Sequence, residues 1–292
     1  MPGLSTDRPA SALPPYAGRT AVLATQHGKQ RALARPFRDL AGLTLTVPPA
    51  LDTDALGSFD GRVTRTGTAM DAAIAKARLG LAATGLPLAL ASEGSFGPHP
   101  RLPLLAAGIE VLVFIDTERD VTLTETLIIE RTNFGHREVA SVAELGDWLA
   151  RVDFPHHVLM VRPLGGAVIA KGIDDAATLE RAITDAVALS PDCRARVETD
   201  MRAHLNPTRM AGIRRLGIRL ARRIATPCPA CSAPGWGQTG VTRGLPCTAC
   251  GTATDMIAGL DFGCAQCGHA ATLPRPDGHS YAQPGQCPAC NP

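Results

Sequence analysis

Lysine is nearly missing from this chain: among 29 basic residues only Lys29, Lys76 and Lys171 are lysines. Together with heavy use of Ala, Gly and Pro, that bias reads as GC-rich coding, so arginine abundance alone says little about partners. Net charge is equally slight, +2 with 19% charged residues, which excludes a global field drawing the chain onto nucleic acid or membranes. No apolar run approaches the roughly 18 residues that cross a bilayer. The opening MPGLSTDRPASALPPYAGR has neither the basic start nor the apolar stretch of a secretory signal. The expectation is a cytoplasmic chain with no membrane partner, whose thiols stay reduced and whose clustered cysteines are metal ligands.

What is present suffices for one good-sized domain and a small one: 292 residues, 45% of them hydrophobic. The fold class read from the pattern is α/β. It comprises a mixed-sheet N-terminal domain, a basic helical linker and a small zinc-ribbon C-terminal module. Residues 1–18 read as a flexible leader, 19–190 as the α/β domain, 191–226 as the Arg-rich linker and 227–292 as a double zinc ribbon. AVLAT, LTLTVP and LPLALAS predict buried strands. GKQRALARPFRDLAG predicts a helix with Pro36 as a point of interruption. A second helix is predicted to open on Thr68, with Asp71 in its first turn and Gly85 near its end. IEVLVFID and VTLTETLIIERT predict neighbouring strands around a short turn. Ser141 and Glu144 form a capping-box pattern ahead of VAELGDWLARV. HVLMVRP and GAVIAKG predict two more strands, and DAATLERAITDAVAL a helix. Early alternation followed by paired strands implies a mixed sheet. Residues 192–225 read as a long helix or helical pair broken near Asn206-Pro207, with nine arginines against Glu198 and Asp200.

The tail holds eight of the nine cysteines, in the pairs Cys228/Cys231, Cys247/Cys250, Cys264/Cys267 and Cys287/Cys290. Two residues between cysteines let one tight turn aim both sulfurs at a metal at about 2.3 Å, and two such knuckles complete a tetrahedron. Four knuckles make two closed structural sites, so two Zn²⁺ are the expected cofactors; iron–sulfur chemistry uses the same ligands. Trp236, Phe262 and Tyr281 are the only aromatics of the tail, too little apolar material to fold without metal. Sequential pairing, with inter-knuckle loops of 15 and 19 residues, is the preferred arrangement. Pairing the middle knuckles around a 13-residue loop, with the outer two on the second ion, is the alternative. Arg243 and Arg275 against Asp255, Asp261 and Asp277 are too few cations for a phosphate-tracking surface. Cys193, alone in SPDCRA, carries no assigned role.

In the N-terminal domain, three segments at predicted strand ends concentrate polar groups where open α/β sheets place ligands. Thr25-Gln26-His27-Gly28-Lys29 has the glycine, helix start and cation of an anion site. Ser92 through Pro100, with Glu93 and Ser95 among glycines, reads as a loop suited to a hydrated Mg²⁺. Glu130 through Arg137 crowds Asn133, Phe134 and His136 into one turn. Of His156 and His157 at a strand start, one is expected to pack, because alternation places them on opposite faces.

At these segments the chain resembles the inosine triphosphate pyrophosphatases. ATQHGK is similar to that family's first phosphate loop, with Thr25, His27 and Lys29 on its Thr, Asn and Lys. TGTAMDAAIAKARLGLAATGLPLALASEGSF resembles its acidic helix and following acidic loop, with Glu93 on a metal-binding acid. Asn133-Phe134-Gly135-His136 is similar to its turn beside the purine. The resemblance spans roughly residues 20–140 and implies a shared fold more than a shared reaction. Ser92 stands where an acid is expected, Arg65 where a glutamate is, and the Ser-His-Arg near the family's end is missing. The whole chain, including MRAHLNPTRM and the final CNP, also resembles a bacterial family described only as a domain of unknown function with a cysteine-rich zinc-ribbon tail.

The leading functional expectation is a nucleotide- or phosphate-ligand-binding protein acting as a Mg²⁺-dependent phosphohydrolase. Glu93, Asp71 and His136 would be its catalytic residues, and Thr25, His27, Lys29, Ser95, Asn133 and Phe134 its ligand-binding residues. The rival expectation is a non-enzymatic adaptor that recognises nucleic acid or protein through the arginine helix and the ribbons. Nucleic acid is the less favoured partner.

Overall fold

The computed structural model describes residues 13–49, 51 and 67–292. Arg65 and most of the predicted leader lie outside these. The chain forms two compact units. The first comprises the described residues up to Glu118 with Thr122–Ala221; the second comprises Arg119–Val121 and Arg222–Pro292. No helix among the described residues is long and apolar enough to cross a membrane.

The first unit contains two sheets. One has the order β2-β1-β3-β4-β5, from β1 (Thr20–Ala24), β2 (Thr44–Thr46), β3 (Leu88–Pro98), β4 (Ala106–Asp116) and β5 (Val121–Ile129). β2, β1 and β3 are parallel, whereas β4 runs antiparallel to β3 from Leu88↔Asp116 to Pro98↔Ala106. The sheet is therefore mixed, as the strand pattern predicts. Alternation assigns its faces: Val22, Ala24, Ala89, Ala91, Val111 and Val113 pack with Ala73 and Ala77 of α2 (Ala69–Thr84). Alanines on both partners, and Gly80 against Val22, bring this helix close. Helix α5 (Pro207–Ala225) covers the other face, fixed by Arg209 to Glu110 of β4, and α1 (Gln30–Ala41) lies beside it, Leu33 filling the space above Gly217.

Helix α2 begins as predicted. Thr68 accepts from the Asp71 N–H at 3.2 Å, and Asp71 accepts from the Thr68 N–H at 2.9 Å, a complete capping box closed at the far end by left-handed Gly85. Thr68→Ala is expected to lower unfolding stability by about 1 kcal/mol, read as a reduced denaturant midpoint with unchanged slope.

The second sheet has the order β6-β9-β7-β8, all neighbours antiparallel, from β6 (His136–Val139), β7 (Leu159–Pro163), β8 (Ala170–Ile173) and β9 (Ala195–Thr199). Helix α4 (Ala176–Leu189) packs Leu179, Ile183 and Ala186 onto Leu159, Val161, Ala195 and Val197. The opposite face, carrying Arg162, Arg196 and Glu198, is polar.

Several expectations are corrected. Helix α1 runs through Pro36 to Ala41 without interruption. Tyr16 belongs to the core rather than to a leader, its hydroxyl donating to Asp116 at 2.8 Å. Ser141 makes no side-chain capping bond; Gly146, at positive φ, separates a 3-10 turn, Val142–Leu145, from the single-turn α3 (Trp148–Arg151). The 191–226 segment is not a helical linker, because its first part is β9, a central strand, and its arginines are dispersed over strand, turn and helix. Among the described residues, ion pairs within the first unit include Arg194–Glu144, Arg196–Glu198, Arg202–Asp200, Arg209–Glu110 and Arg219–Glu125.

The second unit is an antiparallel meander of β10 (Gly237–Arg243), β11 (Ile257–Gly263) and β12 (Ala270–Pro274). Its small apolar patch is Trp236, stacked on His269 at 5.3 Å and set against Phe262 at 6.1 Å.

Candidate functional site

The four knuckles share one local structure. In each, the residue after the second cysteine donates its N–H to the first cysteine's carbonyl: Ser232 to Cys228 at 2.9 Å, Gly251 to Cys247 at 3.0 Å, Gly268 to Cys264 at 3.2 Å and Asn291 to Cys287 at 2.9 Å. Ser232, Gly251 and Gly268 are left-handed there, at φ 61°, 71° and 70°, a conformation that glycine adopts without steric cost. The first cysteine of each knuckle is buried and the second exposed. Amides of Ala230, Ala249 and Gln266 donate to the sulfurs of Cys228, Cys247 and Cys264, each at 3.4 Å, favouring thiolate.

The knuckles pair neither sequentially nor as middle and outer sets. Cys228, Cys231, Cys264 and Cys267 form one cluster, and Cys247, Cys250, Cys287 and Cys290 the other. The meander dictates this interleaving. Gly237 pairs with Gly263, so the knuckle before β10 meets the knuckle after β11 at one end of the sheet. The β10–β11 connection carries the second knuckle to the far end, and β12 returns the chain to that end, where Ala282 bonds Pro246 and Thr248 beside the fourth.

Sulfur separations are 3.8 Å for Cys228–Cys267 and Cys231–Cys264, 3.9 Å for Cys247–Cys290, and 3.6 Å for Cys250–Cys287. A tetrahedron with bonds of about 2.3 Å has edges of about 3.8 Å, so each cluster fits one zinc ion. A cluster with bridging sulfides would hold the cysteines wider apart. So many thiols this close cannot all ionise without a cation. Burial opposes ionisation of Cys228, but the Ala230 and Cys231 amides bring it down to about 7. Its neighbour Cys231, although the Ala233 N–H favours its thiolate, is pushed up to about 12 by the surrounding sulfurs. In the other cluster Thr252 draws Cys250 down to about 6, while hydrogen bonding to Cys250, and then burial, sends Cys290 up to about 12. Four protein ligands leave no open position on the metal, which makes these sites structural.

The first unit holds a cavity of about 280 Å³ between the end of β3 and the polar face of the second sheet. Glu93, Ser95 and Phe96 line it from β3, and Phe134 and His136 from the turn into β6. Arg162 of β7 and Arg196 and Glu198 of β9 complete it. The Ser92–Pro100 segment is thus corrected from loop to strand as far as Pro98. Gly94 serves packing rather than turning, because a Cβ there would lie 2.5 Å from the Arg209 guanidinium and 2.7 Å from Glu110.

Behind this lining lies a buried charge network. Lys76 donates to Glu93 at 2.5 Å, and Lys29 donates to the Ser92 carbonyl at 2.7 Å. Burial works against ionisation of Glu93, but Lys29 and Lys76 outweigh it and hold its carboxyl below the usual range. Lys29 falls to about 8, through burial first and then the Arg209 charge. Arg209 is fully enclosed, donating to Glu110 at 2.5 Å and to the Met201 carbonyl, with its guanidinium 5.2 Å over Phe96.

The predicted residues divide accordingly. Glu93, Ser95, Phe134 and His136 line one cavity. Lys29 is buried behind it at the start of α1. Thr25 accepts from the His27 N–H, and the His27 ring stacks on His204 at 5.3 Å, brought down to about 4 by burial and then by the Lys29 charge. Asn133 accepts from Asn206 at 3.0 Å and keeps a buried amide donor with no protein acceptor. Asp71 is committed to its capping box and does not line the cavity. Sequence reasoning missed Lys76, Glu110, Arg162, Arg196 and Arg209. The recognisable signal was MRAHLNPTRM, whose Met201, Asn206 and Arg209 are buried at the base of this site.

Fold and sites together define a mixed-sheet α/β protein with a zinc-ribbon-like module of two four-cysteine centres. The chain belongs to the family described as a domain of unknown function (DUF6671), matched over residues 76–292. That span takes in the cavity lining and all eight clustered cysteines, and begins after Thr25, His27 and Lys29. No curated protein matches the chain.

Proposed function

We propose that the first unit binds a small phosphate-bearing molecule with a planar ring, of the nucleoside monophosphate class, while two zinc ions hold the second unit folded. The observation that carries this reading is the shared cavity of Phe134, Arg162 and Arg196. Both guanidiniums converge on the single carboxylate of Glu198, so one positive charge is left over, set in a fork geometry suited to phosphate. Phe134 is half-buried, with its ring 6.0 Å from Phe96, and offers a face to a base. A volume of about 280 Å³ is at the small end for ligand sites and favours a monophosphate over a triphosphate.

Mg²⁺-dependent hydrolysis is the weaker part of the earlier expectation. Glu93 is neutralised by Lys76, and Asp71 is spent on its helix cap, so the expected pair of metal-binding acids does not assemble. The reading is therefore ligand binding without a required Mg²⁺. Thermal shift against a panel of nucleoside mono- and triphosphates should show stabilisation by a monophosphate, unchanged by Mg²⁺ and at least about tenfold weaker for Phe134→Ala or Arg196→Ala. No stabilisation by any panel member would remove the proposal. Magnesium-dependent turnover would restore the hydrolase.

A further inference from the structure

The geometry points to a third metal site, for a divalent transition ion, formed by Asp153, His156 and His157 in the turn between α3 and β7. Among the described residues, this is the one cluster outside the cysteine centres that brings three such ligand atoms within 4.8 Å of one another. Its parts are already oriented. Asp153 Oδ2 lies 3.2 Å from His157 Nδ1, and the two imidazoles meet edge to face at 5.3 Å. His157 is buried, and its Nε2 lies 2.9 Å from the Thr208 hydroxyl and 3.4 Å from the Thr208 N–H. As it stands Nε2 accepts from the Thr208 N–H; with Nδ1 on a metal the ring would carry its proton on Nε2 and donate it to the Thr208 hydroxyl oxygen instead, the outer-shell support that fixes a ligating histidine.

The donor set selects the ion. Two imidazole nitrogens and one carboxylate suit Zn²⁺, Co²⁺, Ni²⁺ or Cu²⁺ over Mg²⁺ or Ca²⁺, which prefer all-oxygen shells. Three protein ligands leave a position for water or an exogenous ligand, unlike the closed cysteine centres. Asp153 is 65% exposed and His156 is exposed, so the ion would exchange with solvent chelators. The site would fasten the turn leading into β7, the strand that carries Met160 and Arg162 to the cavity, to Thr208 in the first turn of α5.

The test uses the full chain without an affinity tag, titrated with Co²⁺ and separately with Zn²⁺. About two equivalents of Co²⁺ should produce thiolate charge-transfer bands, and roughly a third should add only weak d–d absorption. A weak oxygen/nitrogen chelator should strip that last equivalent first. Asp153→Asn, which tolerates the left-handed backbone at φ 59°, and the surface change His156→Ala should each abolish it while keeping the thiolate-bound equivalents, which also shows that the variants are folded. Saturation at two equivalents, or a third equivalent that persists in both variants, would overturn the site.

Discussion

Replacing Cys228 and Cys264 together by serine should cost one zinc per chain, whereas replacing Cys228 and Cys247 should cost both. The first pair shares a cluster and the second is split between clusters, so metal counting by native mass spectrometry distinguishes the pairings directly. The effects are large, because structural zinc contributes on the order of 10–16 kcal/mol of apparent binding free energy to small modules at neutral pH. The Cys228/Cys264 variant should lose amide protection around both knuckles at that end of β10 and β11, while Cys247, Cys250, Cys287 and Cys290 keep their ion. If the Cys228/Cys264 variant lost both ions and the Cys228/Cys247 variant only one, the knuckles would pair in chain order and the interleaved arrangement would be wrong.

That the tail binds metal is legible from spacing alone, since nothing but a shared ion asks for four repeats of two cysteines two residues apart. Which knuckles share an ion is not legible, because loop lengths of 13, 15 and 19 residues all permit closure. The answer depends on strand order: a three-stranded meander places alternate connections at the same end, and no local pattern in β10 to β12 states that they form one sheet.

The first unit divides in the same way. Strands with apolar alternation and helices with caps were readable, Thr68 with Asp71 most clearly. β9 was not. ARVET alternates with a period of two, Ala195 and Val197 inward and Arg196 and Glu198 outward, but its charged half faces the cavity and merges with the arginines on either side into an apparent basic helix. β3 was cut short for a related reason. Its Gly94 makes room for a buried guanidinium brought in by a helix more than a hundred residues later, and from sequence alone glycine in a strand looks like a turn.

That guanidinium carries the other large effect. Arg209→Ala should destabilise the first unit by about 3–5 kcal/mol, since Glu110 would remain in a fully enclosed site without its cation. The Met201 carbonyl would lose its donor and the Phe96 face its cation at the same time. Chemical denaturation followed by a probe in the first unit gives the loss. A paired control separates ion pairing from packing: Glu110→Leu with Arg209→Met replaces both charges by apolar groups and should recover most of the stability, whereas simple addition of the two single-variant losses would show that the pair is not coupled. Because Arg209 touches Glu110 beneath Gly94 and Phe96, both of which line the cavity, the alanine variant should also weaken monophosphate binding, and the double apolar variant should restore fold without restoring affinity. Stability would then track the pairing of buried charge, and affinity the position of the β3 residues that the guanidinium supports.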